Sequence, residues 1–101
     1  MLKVGIIGGG NMGAAILHGL KGKYRLAVCE ENKAKLAVLR KKYHVLPLAL
    51  KPLIYISDVI ILAVKPQDAD GILTEAARVF NRKKLFISIA AGLTTAHLER
   101  K

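Results

Sequence analysis

The segment Gly8-Gly9-Gly10-Asn11-Met12-Gly13 follows the apolar run Val4-Gly5-Ile6-Ile7 and runs into a stretch with Met12, Ile16 and Leu20 at i, i+4 and i+8. This G-x-G-x-x-G spelling, set between a strand-like run and a helical period, constrains the fold more than any other feature of the chain. Each glycine of the motif answers a separate backbone demand. Gly8 permits a tight turn out of the strand, Gly10 leaves no Cβ in the way of a diphosphate approaching the main chain, and Gly13 lets the helix pack closely on the sheet. N–H groups around Asn11 and Met12 then stand at a helix N-terminus, where unpaired donors and the dipole favour an anion. The alternative is a glycine-rich turn without a ligand. The strand ahead, the helix behind and an acidic residue after the next strand weigh against it.

Five strand-like runs alternate with helical periods, the pattern of repeated βαβ units around a parallel sheet. The expected strands are residues 2–7, 25–29, 44–48, 58–64 and 85–89. A first helix is expected from Asn11 to about Lys21, stopped by Gly22, and a second after Asn32 as N-cap, with Leu36, Leu39 and Tyr43 on one stripe. Pro66 opens a third, whose Asp68 and Asp70 suit the positive end of the dipole and whose stripe is Ala69, Ile72, Leu73, Ala76 and Phe80. Thr94 or Thr95 would cap a short last helix. The run Asp58 to Val64 is nearly all apolar, as expected of a central parallel strand buried on both faces. With right-handed crossovers the expected fold is a single α/β domain, a Rossmann-type doubly wound parallel sheet with strand order 3-2-1-4-5. Its ligand crevice lies where strands 1 and 4 part.

Composition narrows the function classes. At 101 residues the chain suffices for one core and is too short for a cofactor domain plus a substrate domain of ordinary size, and 52% hydrophobic residues exclude disorder. The single cysteine, Cys29, excludes an internal disulfide framework and a cysteine-rich zinc site. It reads as a small buried hydrophobe in a reducing, cytoplasmic setting, and no metal site is expected. No export signal is visible at the start. The apolar region 45–64 is interrupted by Pro47, Lys51, Pro52, Ser57 and Asp58, so no membrane span is expected. The net charge of +10 is spread over short clusters at element ends (Lys21, Lys23 and Arg25; Arg40, Lys41 and Lys42; Arg82, Lys83 and Lys84). With no Trp and few aromatic residues to stack bases, these read as solvated surface rather than a nucleic-acid site. The run Leu46 to Ile56 is unusually apolar. It either adds to the core or forms a patch for a partner.

Glu30 lies about 20 residues beyond Gly10, where a carboxylate accepts ribose hydroxyls and repels a 2′-phosphate. Glu31 adds to that repulsion, while Arg25 and Lys33 are nearby cations that offset it, so the charges lean towards NAD over NADP. Two further segments leave the ends of strands 4 and 5 into the same crevice: Ala63-Val64-Lys65-Pro66-Gln67 and Ser88-Ile89-Ala90-Ala91-Gly92. Their small residues admit a flat nicotinamide ring. No catalytic residue is assigned. His18, His44 and His97 read as surface, Asp58 has no paired carboxylate, and hydride chemistry resides in the cofactor.

Taken together, these segments resemble the N-terminal domain of pyrroline-5-carboxylate reductases. The resemblance is carried by residues 4–16, 58–67 and 87–94, in the family's order and spacing. It implies reduction of 1-pyrroline-5-carboxylate to L-proline by hydride transfer from NAD(P)H. By resemblance, Gly8, Gly10, Asn11 and Met12 match the phosphate loop, Ala63, Lys65 and Pro66 the segment beside the nicotinamide and its ribose, and Ala90, Ala91 and Gly92 the loop near the reacting ring. With Gly13, Glu30 and Val64 these make up the expected cofactor-binding set. Two departures stand out: Leu48-Ala49-Leu50-Lys51-Pro52 replaces a polar stretch that often helps hold the adenosine, and Glu31 stands where a basic or small polar residue is frequent. The family's helical C-terminal domain, which makes the dimer and most of the substrate pocket, has no counterpart in residues 1–101. The chain is therefore expected to be a cofactor-binding domain, incomplete as a reductase alone, of an enzyme that is a homo-oligomer. The rival readings are another oxidoreductase of the superfamily, of prephenate dehydrogenase or coenzyme F420-dependent NADP reductase type, and a nonenzymatic nucleotide-binding module. Lys65-Pro66-Gln67 and Ala90-Ala91-Gly92 favour the proline enzyme.

Overall fold

The computed structural model describes residues 2–64, 66–78 and 85–88. Along the chain run β1 (Lys3–Ile7), α1 (Asn11–Leu20), β2 (Arg25–Cys29), α2 (Lys33–Tyr43), β3 (Leu46–Pro47), α3 (Leu50–Ile56), β4 (Val59–Leu62), α4 (Pro66–Ala77) and β5 (Leu85–Ser88). All five strands are parallel, in the expected order β3-β2-β1-β4-β5. Ile7 is level with Cys29 on one side and Leu62 on the other, so the three central strands finish together.

Side-chain alternation sends Val4, Ile6 and Val28 to one face of the sheet, where Leu17 of α1 and Leu39 and Tyr43 of α2 complete a buried cluster. Ile7, Ala27, Ile60 and Leu62 point to the other face, against Leu53 and Ile54 of α3 and Ala69, Leu73 and Ala76 of α4. The first two helices thus cover one side and the next two the other. Asn32 caps α2 as expected, its side chain accepting from the Lys35 N–H at 3.0 Å. Gly22 takes a φ of +79° just beyond α1.

The apolar run 46–56 departs from the sequence reading by forming a two-residue edge strand and a helix. Leu53 and Ile54 are fully buried with Leu48 and Leu50 packed against their cluster, while Leu46 and Tyr55 are exposed, so the run serves the core in part and leaves two large apolar side chains at the surface. Pro52 fits because it lies in the first turn of α3, where its missing N–H is not needed. Gly5 is the counterpart on β1. A Cβ there would meet Leu53 Cδ2 at 2.5 Å and Cγ at 2.8 Å, so only a glycine lets α3 settle this closely on the strand. β3 is shorter than residues 44–48 because His44 ends α2 in the left-handed conformation, φ 53°, and cannot continue as strand. β4 is also shorter than 58–64, although Asp58 and Ala63 extend the ladder, donating to the Lys3 and Ile7 carbonyls at 2.8 Å each. Its burial is complete only on the α3–α4 face. Val59 and Ile61 point the other way and are half-buried, packed against the cluster that Leu17, Leu39 and Tyr43 complete. Lys65, Phe80, Arg82, Lys83, Lys84, Ile89, the 90–92 loop, Thr94, Thr95 and His97 lie outside the described residues.

Candidate dinucleotide cleft

Chain leaving β1 turns to one face and chain leaving β4 to the other, so the two loops part. A cleft of about 960 Å³ opens at the carboxyl ends of the strands. Its floor is Ile7 and the 8–10 loop. One wall comes from Cys29 at the end of β2 and Glu30 and Glu31 after it, with Leu48, Ala49 and Leu50, the other from Ala63 and Val64 after β4 with Asp68, Gly71, Ile72 and Glu75 of α4.

The loop itself is shaped by what its glycines lack. Gly8 has φ +102°, donates its N–H to the Cys29 carbonyl at 2.9 Å, and would place a Cβ 2.6 Å from the Ala63 carbonyl oxygen. Any side chain there strains the backbone and collides with β4's exit. A Cβ on Gly13 would overlap the Gly8 carbonyl oxygen, so this glycine fixes how closely the first turn of α1 sits on the loop. Gly10, by contrast, has nothing within 4 Å of its Cβ position and stands open to the cleft. It is the N-cap of α1 in extended conformation. No side chain caps the helix, and no acidic residue lies in its first turn. Its carbonyl accepts from Ala14, starting the helix and leaving the first-turn N–H groups to a ligand or water.

Glu30 is held firmly. One carboxylate oxygen accepts from the Gly9 N–H at 2.7 Å, the other from the Asn32 N–H at 2.7 Å. The residue therefore ties the glycine loop to the start of α2. Gly9, to which no task was assigned from the sequence, is buried beneath this contact: a Cβ there would meet Leu39 Cδ1 at 2.8 Å and Glu30 Oε1 at 2.9 Å. Its signal was an extra glycine at a position where the motif tolerates any residue.

Charge in the cleft runs against that of the whole chain. Glu30, Glu31, Asp68 and Glu75 line it, with Lys35 as the one cation among the described lining residues, in a protein of net charge +10. Burial raises the Cys29 thiol pKa above its ordinary value, with the charges of Glu31 and then Glu30 adding to the effect. Nothing in this arrangement activates it as a nucleophile.

Of the residues singled out in the sequence, Gly8, Gly10, Glu30, Ala63 and Val64 line the cleft. Asn11 and Met12 occupy the exposed first turn of α1, Gly13 lies beneath that turn, and Pro66 opens α4. Lys65, Ala90, Ala91 and Gly92 lie outside the described residues. Sequence reasoning missed the α4 wall and Gly9, and it treated 48–50 as a departure rather than as a wall. The strand order alone could have found the latter, since β3 and β2 are neighbours. Asp58 sits at the opposite end of the sheet, where its side chain accepts from the Lys3 N–H at 2.9 Å. His18 and His44 are exposed. Among the described residues, no group of three His, Cys, Asp or Glu side chains is arranged for a metal, and no helix is long and apolar enough to cross a membrane.

Residues 3–92 match the family described as NADP oxidoreductase, coenzyme F420-dependent. Pyrroline-5-carboxylate reductase of Mycobacterium leprae is 33% identical over 110 residues, a match covering 100% of this chain and 37% of the relative. The solved structure of a pyrroline-5-carboxylate reductase from Coxiella burnetii superposes with a TM-score of 0.85 at 32% identity, covering 96% of this chain and 38% of that one. The Plasmodium falciparum pyrroline carboxylate reductase, solved with NADP bound, gives 0.78 at 28% identity, covering 98% and 37%. The chain thus spans well under half the length of these relatives.

Proposed function

The chain belongs to the NADP oxidoreductase, coenzyme F420-dependent family, and from that premise we propose that it is the NAD(P)H-binding domain of a pyrroline-5-carboxylate reductase. The whole enzyme reduces 1-pyrroline-5-carboxylate to L-proline. The observation that carries the dinucleotide reading is the uncapped, acid-free first turn of α1, opening through Gly10 onto a cleft at the point where β1 and β4 part. A diphosphate fits there because a side chain neither fills the space nor satisfies the donors. The names of the relatives supply the choice of reaction.

In this reading the Gly10, Asn11 and Met12 segment binds the diphosphate, with Gly8 and Gly13 shaping it. Glu30 accepts from the ribose hydroxyls of the adenosine half. Ala63, Val64, Lys65 and Pro66 flank the nicotinamide and its ribose, and Ala90, Ala91 and Gly92 lie near the reacting ring. The bound dinucleotide supplies the hydride. The chain's own residues orient it and keep the ring's surroundings small and apolar. Substrate contacts and homo-oligomer contacts are assigned to the helical domain that the resemblance implies.

Calorimetric titration of the chain with NADH and NADPH tests the reading. Saturable binding of either is expected, weakened at least tenfold by Gly10→Val, which fills the open space at the loop. No binding of either at millimolar concentration would overturn it. For the reaction, this chain would replace the matching part of the Mycobacterium leprae reductase. Dinucleotide oxidation that depends on 1-pyrroline-5-carboxylate is the expected result, and a well-folded chimera that binds the dinucleotide without turnover would count against the proline enzyme.

A further inference from the structure

Dinucleotides of this type come with or without a phosphate on the adenosine ribose, and the end of β2 is where that difference is met. Building on the dinucleotide reading above, we propose that Glu30 makes this cleft a site for NADH and NAD+ in preference to their 2′-phosphorylated forms, against the cofactor named in the family's description.

Three observations carry it. First, the Glu30 carboxylate is pinned by two backbone N–H groups at 2.7 Å, from Gly9 and Asn32, and both bonds are of the strong, charge-assisted kind. It cannot swing aside for an incoming anion without giving up the acceptor of a loop N–H on one side and of the α2 N-terminus on the other. Second, pinning does not use it up. A carboxylate has about four acceptor sites, two of which are taken here, so two remain for the ribose hydroxyls. Third, no described side-chain cation is seated on its charge. Among the described residues no Lys or Arg forms an ion pair with Glu30. Glu31 follows it, and Lys35, the nearest cation on the wall, is exposed, with its own N–H engaged by the Asn32 cap. A phosphate monoester brings a charge of about −1.5 to −2 into this corner, where hydroxyls bring donors.

The test is titration calorimetry of the intact chain with NADH, NADPH, ADP-ribose and 2′-phospho-ADP-ribose at one ionic strength. The unphosphorylated member of each pair is expected to bind at least tenfold more tightly. Glu30→Gln removes the charge and keeps the size, and should bring both ratios to within about threefold of unity, while Glu31→Gln, which removes only the neighbouring charge, lowers them by less. Thermal melts of the variants report whether the loop is still assembled. Equal or tighter binding of the 2′-phosphorylated forms by the unaltered chain would overturn the preference and leave dinucleotide binding standing. A ratio that survives in a folded Glu30→Gln would remove Glu30 as its cause, and no binding of any of the four ligands would overturn both this inference and the reading beneath it.

Discussion

Alanine placed at two glycines of the same helix should have opposite effects. Gly13 and Gly19 both lie in α1, and in each case Gly→Ala removes the backbone freedom of glycine from the unfolded chain, a gain of about 0.5–1 kcal/mol in a helix interior. At Gly19 nothing lies within 4 Å of the new Cβ, so the gain stands. At Gly13 the Cβ overlaps the Gly8 carbonyl oxygen, with the Gly8 carbonyl carbon at 3.1 Å, and both are backbone atoms that cannot rotate away. Either α1 lifts from the loop, or the loop moves against Ala63. Overpacking of this kind costs about 1–3 kcal/mol, and against two backbone atoms the upper part of that range, about 2–3 kcal/mol, applies, which leaves a net loss of about 1–2.5 kcal/mol. For a domain of this size about 1 kcal/mol corresponds to about 4–8 °C in Tm. Thermal unfolding followed by circular dichroism should therefore show Gly13→Ala melting about 5–15 °C below the parent and Gly19→Ala melting a few degrees above it. A Gly13→Ala variant as stable as the parent would refute the close contact between α1 and the loop, and a parallel loss in both variants would show that the contact is not what decides the sign.

Other outcomes follow from single contacts. Asn32→Ala removes the cap of α2 and should cost about 1 kcal/mol in urea unfolding, with unchanged m-value. His44→Gly relieves a left-handed residue at the end of α2 whose N–H still donates to Arg40, and should stabilise by about 0.5–1 kcal/mol in the same assay. Cys29 in the folded chain should be alkylated more slowly than in urea, its rate-against-pH curve displaced to the alkaline side because its folded pKa is raised. The sign for stability follows. Between the unfolded and folded pKa values the native state holds more protons, so stability falls as pH rises through that window, and Cys29→Ser should flatten the fall.

The fold was largely legible because the two strongest signals act locally. Period-2 and continuous apolar runs placed the strands, and Gly8, Asn32 and Pro66 punctuated them, so the order β3-β2-β1-β4-β5 followed from crossover handedness. What escaped was set by tertiary contact. Leu50–Ile56 has too few residues for a helical period to declare itself, and its helix is fixed by Leu53 packing over Gly5. His44 carries no sequence mark of a left-handed cap. In the candidate cleft, Glu30 and the glycines could be read because motif spacing reflects backbone geometry. The task of Gly9 and the wall from Asp68 to Glu75 depend on which helices face each other across the crevice, and that is visible only after the sheet is assembled.

The hydrogen bonds that frame the glycine loop also set an order of events for a growing chain. β1, α1 and β2 lie close together in sequence and can pair as soon as they emerge, bringing the Cys29 carbonyl to the Gly8 N–H. The other support, the Ala63 N–H on the Ile7 carbonyl, comes from the residue just beyond β4, far downstream. A nascent chain ending near β3 therefore holds one side of its loop only, and the loop takes its final shape when β4 inserts beside β1. During synthesis or refolding, the gain of dinucleotide affinity should thus coincide with closure of the β1–β4 pair and lag behind the first βαβ unit.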